Sequence, residues 1–161
     1  MSADALTPNT RMLIAYECMR LQNLYCLHAD RCDVEGFVSL FAPDGSVEVP
    51  EAPAFVGSTA IRAAMQALAD TGIANKHLAS NHVVDALDAT HARGSCYLVV
   101  YASAAAPDQR GMRPLEQPST VGHYDDTFVL TDTGWKFKSR VLTRTFRRDE
   151  TTSPAAKSME T

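Results

Sequence analysis

The spacing of apolar side chains changes at Gly72, and that change constrains the fold more than any other feature of the chain. Before Gly72 apolar residues recur with helical period, and after it they alternate as they do in strands. Residues 10–31 contain neither Pro nor Gly and carry Leu13, Ile14, Cys18, Met19, Leu21, Leu24, Tyr25, Cys26 and Leu27 on several faces. This spacing predicts a long, largely buried helix. Asp33-Val34-Glu35 caps a second, short helix carrying Phe37, Leu40 and Phe41. Pro43-Asp44-Gly45 reads as a turn and residues 46–49 as a short strand. Gly57-Ser58-Thr59 opens a third helix with Ser58 as N-cap, an apolar stripe of Ile61, Ala64, Met65 and Leu68, and Gly72 as its C-cap.

After Gly72, residues 78–87, 95–103, 121–130 and 135–146 read as four strands. Asp88-Ala89-Thr90 and Asp132-Thr133-Gly134 join them as hairpins. Residues 104–119 form a long loop carrying Pro107, Gly111, Pro114 and Pro118, and long loops in compact domains tend to serve function. Helices first and an antiparallel meander afterwards give an α+β fold. The expectation is a cone-shaped barrel, a strongly curved antiparallel sheet wrapped around the N-terminal helix with two further helices and enclosing a conical cavity. A flexible start (1–9), one domain (10–148) and a disordered tail (149–161) complete the expected organisation.

A length of 161 residues suits one core, and 45% hydrophobic with 21% charged residues is ordinary for a globular chain. Net charge of -4 argues against a nucleic-acid partner. The basic residues Lys136, Lys138, Arg140, Arg144, Arg147 and Arg148 read as a solvated C-terminal face. Cys18, Cys26, Cys32 and Cys96 form no Cys-x-x-Cys pair and read as free thiols in a reducing compartment. No signal-peptide pattern opens the chain, and no apolar run approaches the ~20 residues of a membrane span, so no membrane partner and a cytoplasmic location are expected. The sheet strand 95–103 is apolar on both faces, with Tyr97, Val99 and Tyr101 alternating against Cys96, Leu98 and Val100. One face needs a cover, which predicts a homodimer or homotrimer.

His77 and Asp30 are the residues that carry chemistry. A carboxylate can hold an imidazole tautomer and stabilise its cation, which is enough for proton transfer without metal or organic cofactor. Asp30 stands at the C-terminal end of the first helix, where an acid opposes the helix dipole at a cost of ~0.3–1 kcal/mol. On a regular strand His77, Ala79, Asn81 and Val83 share one face, with His82 opposite. Tyr25 lies about 140° around an ideal helix from Asp30. His123 starts a later strand beside Tyr124 and Asp125. The five histidines show no His-x3-His pattern, and neither a phosphate loop nor a nucleophile elbow is present, so no metal and no cofactor are expected.

The run Tyr25-x4-Asp30, the segment Leu40-Phe41-Ala42-Pro43-Asp44-Gly45, the Phe55-x-Gly57 lead into a helix, and Gly134-Trp135-Lys136-Phe137 resemble the nuclear-transport-factor-like cone fold. More narrowly they resemble its SnoaL-like branch, nearest to the dehydratase and dehydrochlorinase members. The resemblance spans roughly residues 10–147. It implies an Asp30–His77 catalytic dyad, an active-site role for Tyr25, and a His77-x3-Asn81 run like that of the branch. Asn81, Val100, His123 and Trp135 are then expected to contact substrate. Val100 stands where one relative has a carboxylate, and Val cannot transfer a proton. The implied activity is a cofactor-independent lyase or isomerase, dehydratase-like, on a small apolar cyclic or polyketide-like molecule. The alternative is a non-catalytic binding or assembly module, such as a dioxygenase small subunit.

Overall fold

The computed structural model describes residues 6–115 and 117–147. The predicted disordered tail and the first five residues lie outside that range. Helix α1 (Pro8–Asp30) starts where Thr7 Oγ1 accepts from Thr10 N at 3.1 Å, with Pro8 in the first turn. It buries one stripe, Ile14, Cys18, Leu21, Gln22, Tyr25, Cys26 and Ala29. The helix is therefore buried on one side and not all round, and its open side keeps apolar residues, for Leu13 remains 63% exposed.

Asp33 caps α2 (Val34–Val38), its carboxylate accepting from Gly36 N. This helix stops before Leu40 and Phe41, which were expected on it. Phe41 instead opens β1 (Phe41–Glu48), and Pro43-Asp44-Gly45 lies inside that strand rather than making a turn. The pairing of β1 slips between Phe41 and Ser46, so the three residues are absorbed as an irregularity. A side chain at Gly45 would bring its Cβ within 2.9 Å of the Phe137 carbonyl oxygen, so glycine is required by close approach, not by a turn. After β2 (Phe55–Val56), α3 (Gly57–Asp70) begins behind Val56, with no side-chain cap from Ser58. Gly72 follows its C-cap Thr71 in the left-handed region (φ 67°), the conformation in which glycine ends a helix.

Four strands follow: β3 (Ala74–Ala86), β4 (His91–Ser103), β5 (Thr120–Thr131) and β6 (Gly134–Arg147). They pair as the antiparallel meander expected. β1 then adds to β6 in parallel, so the six-stranded sheet is mixed, in the order β2-β1-β6-β5-β4-β3, and it remains open at its edges. α1 lies along β3 and is tied to it at three levels. Arg11 Nη1 donates to the Ala86 carbonyl at 2.9 Å, His82 Nδ1 to Gln22 Oε1 at 2.7 Å, and His77 to Asp30. Residues 11 to 30 of a helix span about 28 Å. Residues 86 to 77 of a strand span about 30 Å, so the two elements keep register over this whole length.

The core centres on an aromatic group of Tyr25, Phe37, Phe41, Tyr124, Phe128 and Phe137. All four cysteines are free. Among the described residues no helix is long and apolar enough to cross a membrane. On the outer face Leu78, Val99, Val121 and Phe146 form one cross-strand row, with Leu78 55% and Phe146 68% exposed.

Candidate functional site

Asp30 is the last residue of α1, and His77 lies near the start of β3. His77 Nδ1 is 2.6 Å from Asp30 Oδ1, and the backbone N–H of His77 also faces the carboxylate, at 3.1 Å from Oδ1 and 3.2 Å from Oδ2. Lys76 Nζ stands 3.5 Å from Oδ2. Three donors therefore gather on an acid whose place at a helix C-terminus would otherwise cost free energy. The side chains are 13% (His77) and 9% (Asp30) exposed, so the pair is mostly but not wholly desolvated. An ionised carboxylate only accepts, so Nδ1 carries the hydrogen in neutral His77, which leaves the lone pair on Nε2. Among the described residues Nε2 makes no hydrogen bond. An imidazole held in this way can accept a proton at Nε2.

Val100 is the cross-strand partner of His77 and is buried beside it, so the wall next to the imidazole is apolar on that side. Asp30 also forms part of a pocket of about 250 Å³, together with Asn75, Lys76, Tyr101, Arg113 and Leu115. The long loop 104–119 supplies Arg113, Pro114 and Leu115 to that pocket. A second cavity, about 350 Å³ and almost wholly apolar, lies under α3 and is lined by Tyr25, Phe37, Val47, Phe55, Ile61 and Met65. Asp30 lines the first of these spaces and Tyr25 the second, and His77, expected to line one apolar cavity with Asp30, is among the lining residues of neither.

The other predicted contacts lie apart from the dyad. Tyr25 packs in the aromatic core, 4.6 Å from the Phe37 ring and 5.4 Å from the Tyr124 ring between centroids. Burial pushes its hydroxyl above the ordinary value, which leaves it a poor proton donor. The 140° offset from Asp30 on an unbroken helix is the reason for this separation. Asn81 is exposed on the outer face because β3 carries a bulge there. Its φ is 53°, and the pairing with β4 slips between Ser80 and Val83. The same bulge turns His82 inward, contrary to the alternation of a regular strand. His123 lies on the outer face, opposite Tyr97 and 3.4 Å from Asp125, because Tyr124 takes the inward position. Trp135 pairs with Leu130 beside the β5–β6 hairpin, at the opposite end of the sheet from the row His77–Val100–Thr120.

Sequence reasoning missed a second polar centre. Arg140, expected on a solvated face, is fully buried. Its Nε and Nη2 donate to Asp126 Oδ1 and Oδ2 at 2.7 and 2.8 Å, and Gln22 Nε2 donates to Oδ2 at 2.8 Å. The guanidinium lies 4.0 Å from the Tyr124 ring centroid and 4.3 Å from that of Tyr25. Burial lowers the Arg140 pKa, but the Asp126 carboxylate outweighs burial and holds it above its ordinary value. Arg140 Nη2 also points at Cys96, whose thiol burial pushes up to about 11, so this cysteine is inert. The available signal was the pair Asp126 and Arg140 on neighbouring strands. A bulge concealed it, for Phe128 pairs with Phe137 while Thr127 pairs with Ser139, so Lys138 is the extra residue and both Phe137 and Arg140 face inward.

The SnoaL-like domain family matches residues 11–141 of this chain. None of the curated proteins matches it significantly. Among solved structures, a candidate scytalone dehydratase from Novosphingobium aromaticivorans has TM-score 0.75 at 23% identity, over 89% of this chain and 91% of that one. A protein of unknown function from Mycobacterium tuberculosis has TM-score 0.71 at 22% identity, over 89% of this chain and 83% of that one. A third, from Novosphingobium aromaticivorans, is an NTF2-like protein with a cystatin-like fold, at TM-score 0.68 and 24% identity, covering 98% of each chain. At these identities the likeness is one of fold.

Proposed function

The chain belongs to the SnoaL-like family, and on that premise we propose that it is a cofactor-independent lyase or isomerase, dehydratase-like, with His77 as general base and Asp30 as its orienting partner. The observation that carries this reading is the 2.6 Å contact between His77 Nδ1 and Asp30 Oδ1, with Nε2 left free. In the proposed elimination Nε2 takes the proton next to a carbonyl, and the C–H electron pair becomes the new double bond. The imidazolium, stabilised by Asp30, then returns that proton to the departing hydroxyl, which leaves as water. One residue serves as base and then acid, because Val100, its cross-strand neighbour, has no proton to give. Support for a dehydratase comes also from the likeness to a candidate scytalone dehydratase.

The test is a panel of small cyclic β-hydroxy ketones followed by the absorbance of the conjugated product. Turnover should fall roughly 10²–10⁴-fold in His77→Ala, the usual worth of a positioned base. Unchanged turnover in that variant would remove the mechanism. The assembly reading is favoured by one observation, the filling of the interior by Arg140 and its aromatic neighbours. It predicts no turnover on any member of the panel. We also propose that the row Leu78, Val99, Val121 and Phe146 covers itself against a second copy of the chain. Sedimentation at micromolar concentration should give a dimer or trimer, shifted to monomer by Phe146→Lys, and a monomer in the parent protein would refute it.

A further inference from the structure

The pocket beside the dyad has a charge opposite to that of the protein. The chain carries net -4, yet the pocket wall combines Asp30 with two cations, Lys76 and Arg113. Asp30 is already engaged by His77 and Lys76, so the unbalanced positive charge of the wall is that of Arg113.

Arg113 is built into its position. Nη1 donates to the carbonyl oxygens of Ser103 and Ala105, and Nη2 donates to Gly72 O at 3.3 Å. Three carbonyls from two chain segments fix the plane of the guanidinium without neutralising its charge. Among the described residues no carboxylate lies within ion-pair distance of it. A guanidinium has five N–H donors, so some remain for a ligand. Ser103, in the same pocket wall, has a buried Oγ that makes no hydrogen bond among the described residues. Asn75 and Lys76 complete the polar side, while Ala74, Tyr101, Pro114 and Leu115 make the other side apolar.

We propose that this pocket binds an organic acid: one carboxylate held by Arg113 and Lys76, with its apolar ring or short chain against Tyr101, Pro114 and Leu115. The inference rests on the reading of His77 and Asp30 as a proton-transfer pair, and narrows its substrate from an apolar molecule to an amphipathic carboxylate. Loop 104–119 thereby acquires a role, since Arg113 ties it to the turn after α3 and to the end of β4. Asp30 belongs to both pocket and dyad and is the link between them, for His77 itself is not among the lining residues.

The test compares 1-naphthoate with its neutral analogue 1-naphthalenemethanol, titrated into the ¹⁵N-labelled full chain and followed by amide shifts. Naphthoate should bind about tenfold more tightly, the worth of one charge-assisted contact. Its shifts should concentrate at residues 74–77 and 101–103. Arg113→Gln and Lys76→Gln should each reduce that preference, and Arg113→Lys should restore part of it. Equal affinity for the two probes, no binding of either at millimolar concentration, or a preference untouched by both Gln variants would overturn the proposal. Inorganic phosphate binding as tightly as naphthoate would overturn the apolar half of it. The naphthoate preference is read from binding alone and the His77→Ala effect from turnover on the ketone panel, so the binding inference and the catalytic reading fail separately.

Discussion

Two acid–base pairs are fixed against α1 in this fold, and they differ in what is left over. In the interior, Asp126 receives two bonds from Arg140 and one from Gln22, and the carboxylate–guanidinium pair is wholly buried. At the end of α1, Asp30 holds His77 by one ring nitrogen and one backbone N–H, and the other ring nitrogen has no partner among the described residues. The first pair has a permanent cation locked between aromatic rings, and its charge cannot change. The second has a titratable ring, partial solvent access and a neighbouring pocket. A buried pair whose two-pronged contact offsets its own charges organises a core, even with Arg140 Nη1 lacking a partner among the described residues, whereas a titratable pair beside a pocket can do chemistry.

The largest effect that tests this contrast is on stability. Asp126→Ala leaves the Arg140 guanidinium buried without its counter-charge and should cost about 3–5 kcal/mol in urea unfolding. His77→Ala removes a contact at a partly exposed edge and should cost about 1.5–3 kcal/mol, the range of a hydrogen bond to a charged group. If the two variants lost equal stability, the division into a structural and a functional pair would break.

Backbone geometry sharpens the comparison with a smaller effect. Asn81 occupies a left-handed position (φ 53°) at the bulge that separates the His77 level of β3 from the His82 level. A β-branched residue pays heavily in that conformation, so Asn81→Val should lose about 1–2 kcal/mol while Asn81→Gly stays near the parent. Neither should abolish turnover, because the Asn81 side chain is exposed on the outer face. Loss of activity in Asn81→Gly with an intact fold would restore it to the site.

The smallest expected effect is one of pH. Burial, reinforced by the Arg140 charge, lowers the His82 pKa below its ordinary 6.5. The unfolded chain then takes up a proton before the folded one does. This contribution to stability is complete above about pH 6.5 and is lost as pH falls toward the folded value. Unfolding midpoints between pH 7.5 and 5 should therefore decline less steeply in His82→Gln than in the parent. Identical slopes would detach His82 from the buried network.

The parts of the fold governed by unbroken periodicity were legible in the sequence. The change at Gly72, the four-strand meander and the Asp33 cap follow from local pattern alone, whereas strand 95–103, apolar on both faces, did not say which face turns inward. What escaped depends on three irregularities that a pattern of period two cannot register. The slip in β1 hides a strand beneath Pro43-Asp44-Gly45, the bulge at Asn81 exchanges Asn81 for His82 on the inner face, and the bulge at Lys138 turns Arg140 inward. Each adds residues on one strand only, so every later side chain changes face. Asp30 and His77 escape this problem because one ends a regular helix and the other precedes the first bulge of its strand. Tyr25, on the same unbroken helix as Asp30, was held away from it by the angle its spacing already implied.

The central claim is that Asp30 fixes His77 as the Nδ1–H tautomer with a free lone pair on Nε2. Two-bond ¹H–¹⁵N correlation on protein labelled in its histidine rings reads this directly. In neutral His77, Nδ1 should appear as the protonated nitrogen and Nε2 as the unprotonated one. Asp30→Asn should disturb that assignment while His82 keeps its own. An Nε2–H tautomer for His77, or an even mixture unaffected by Asp30→Asn, would contradict the account.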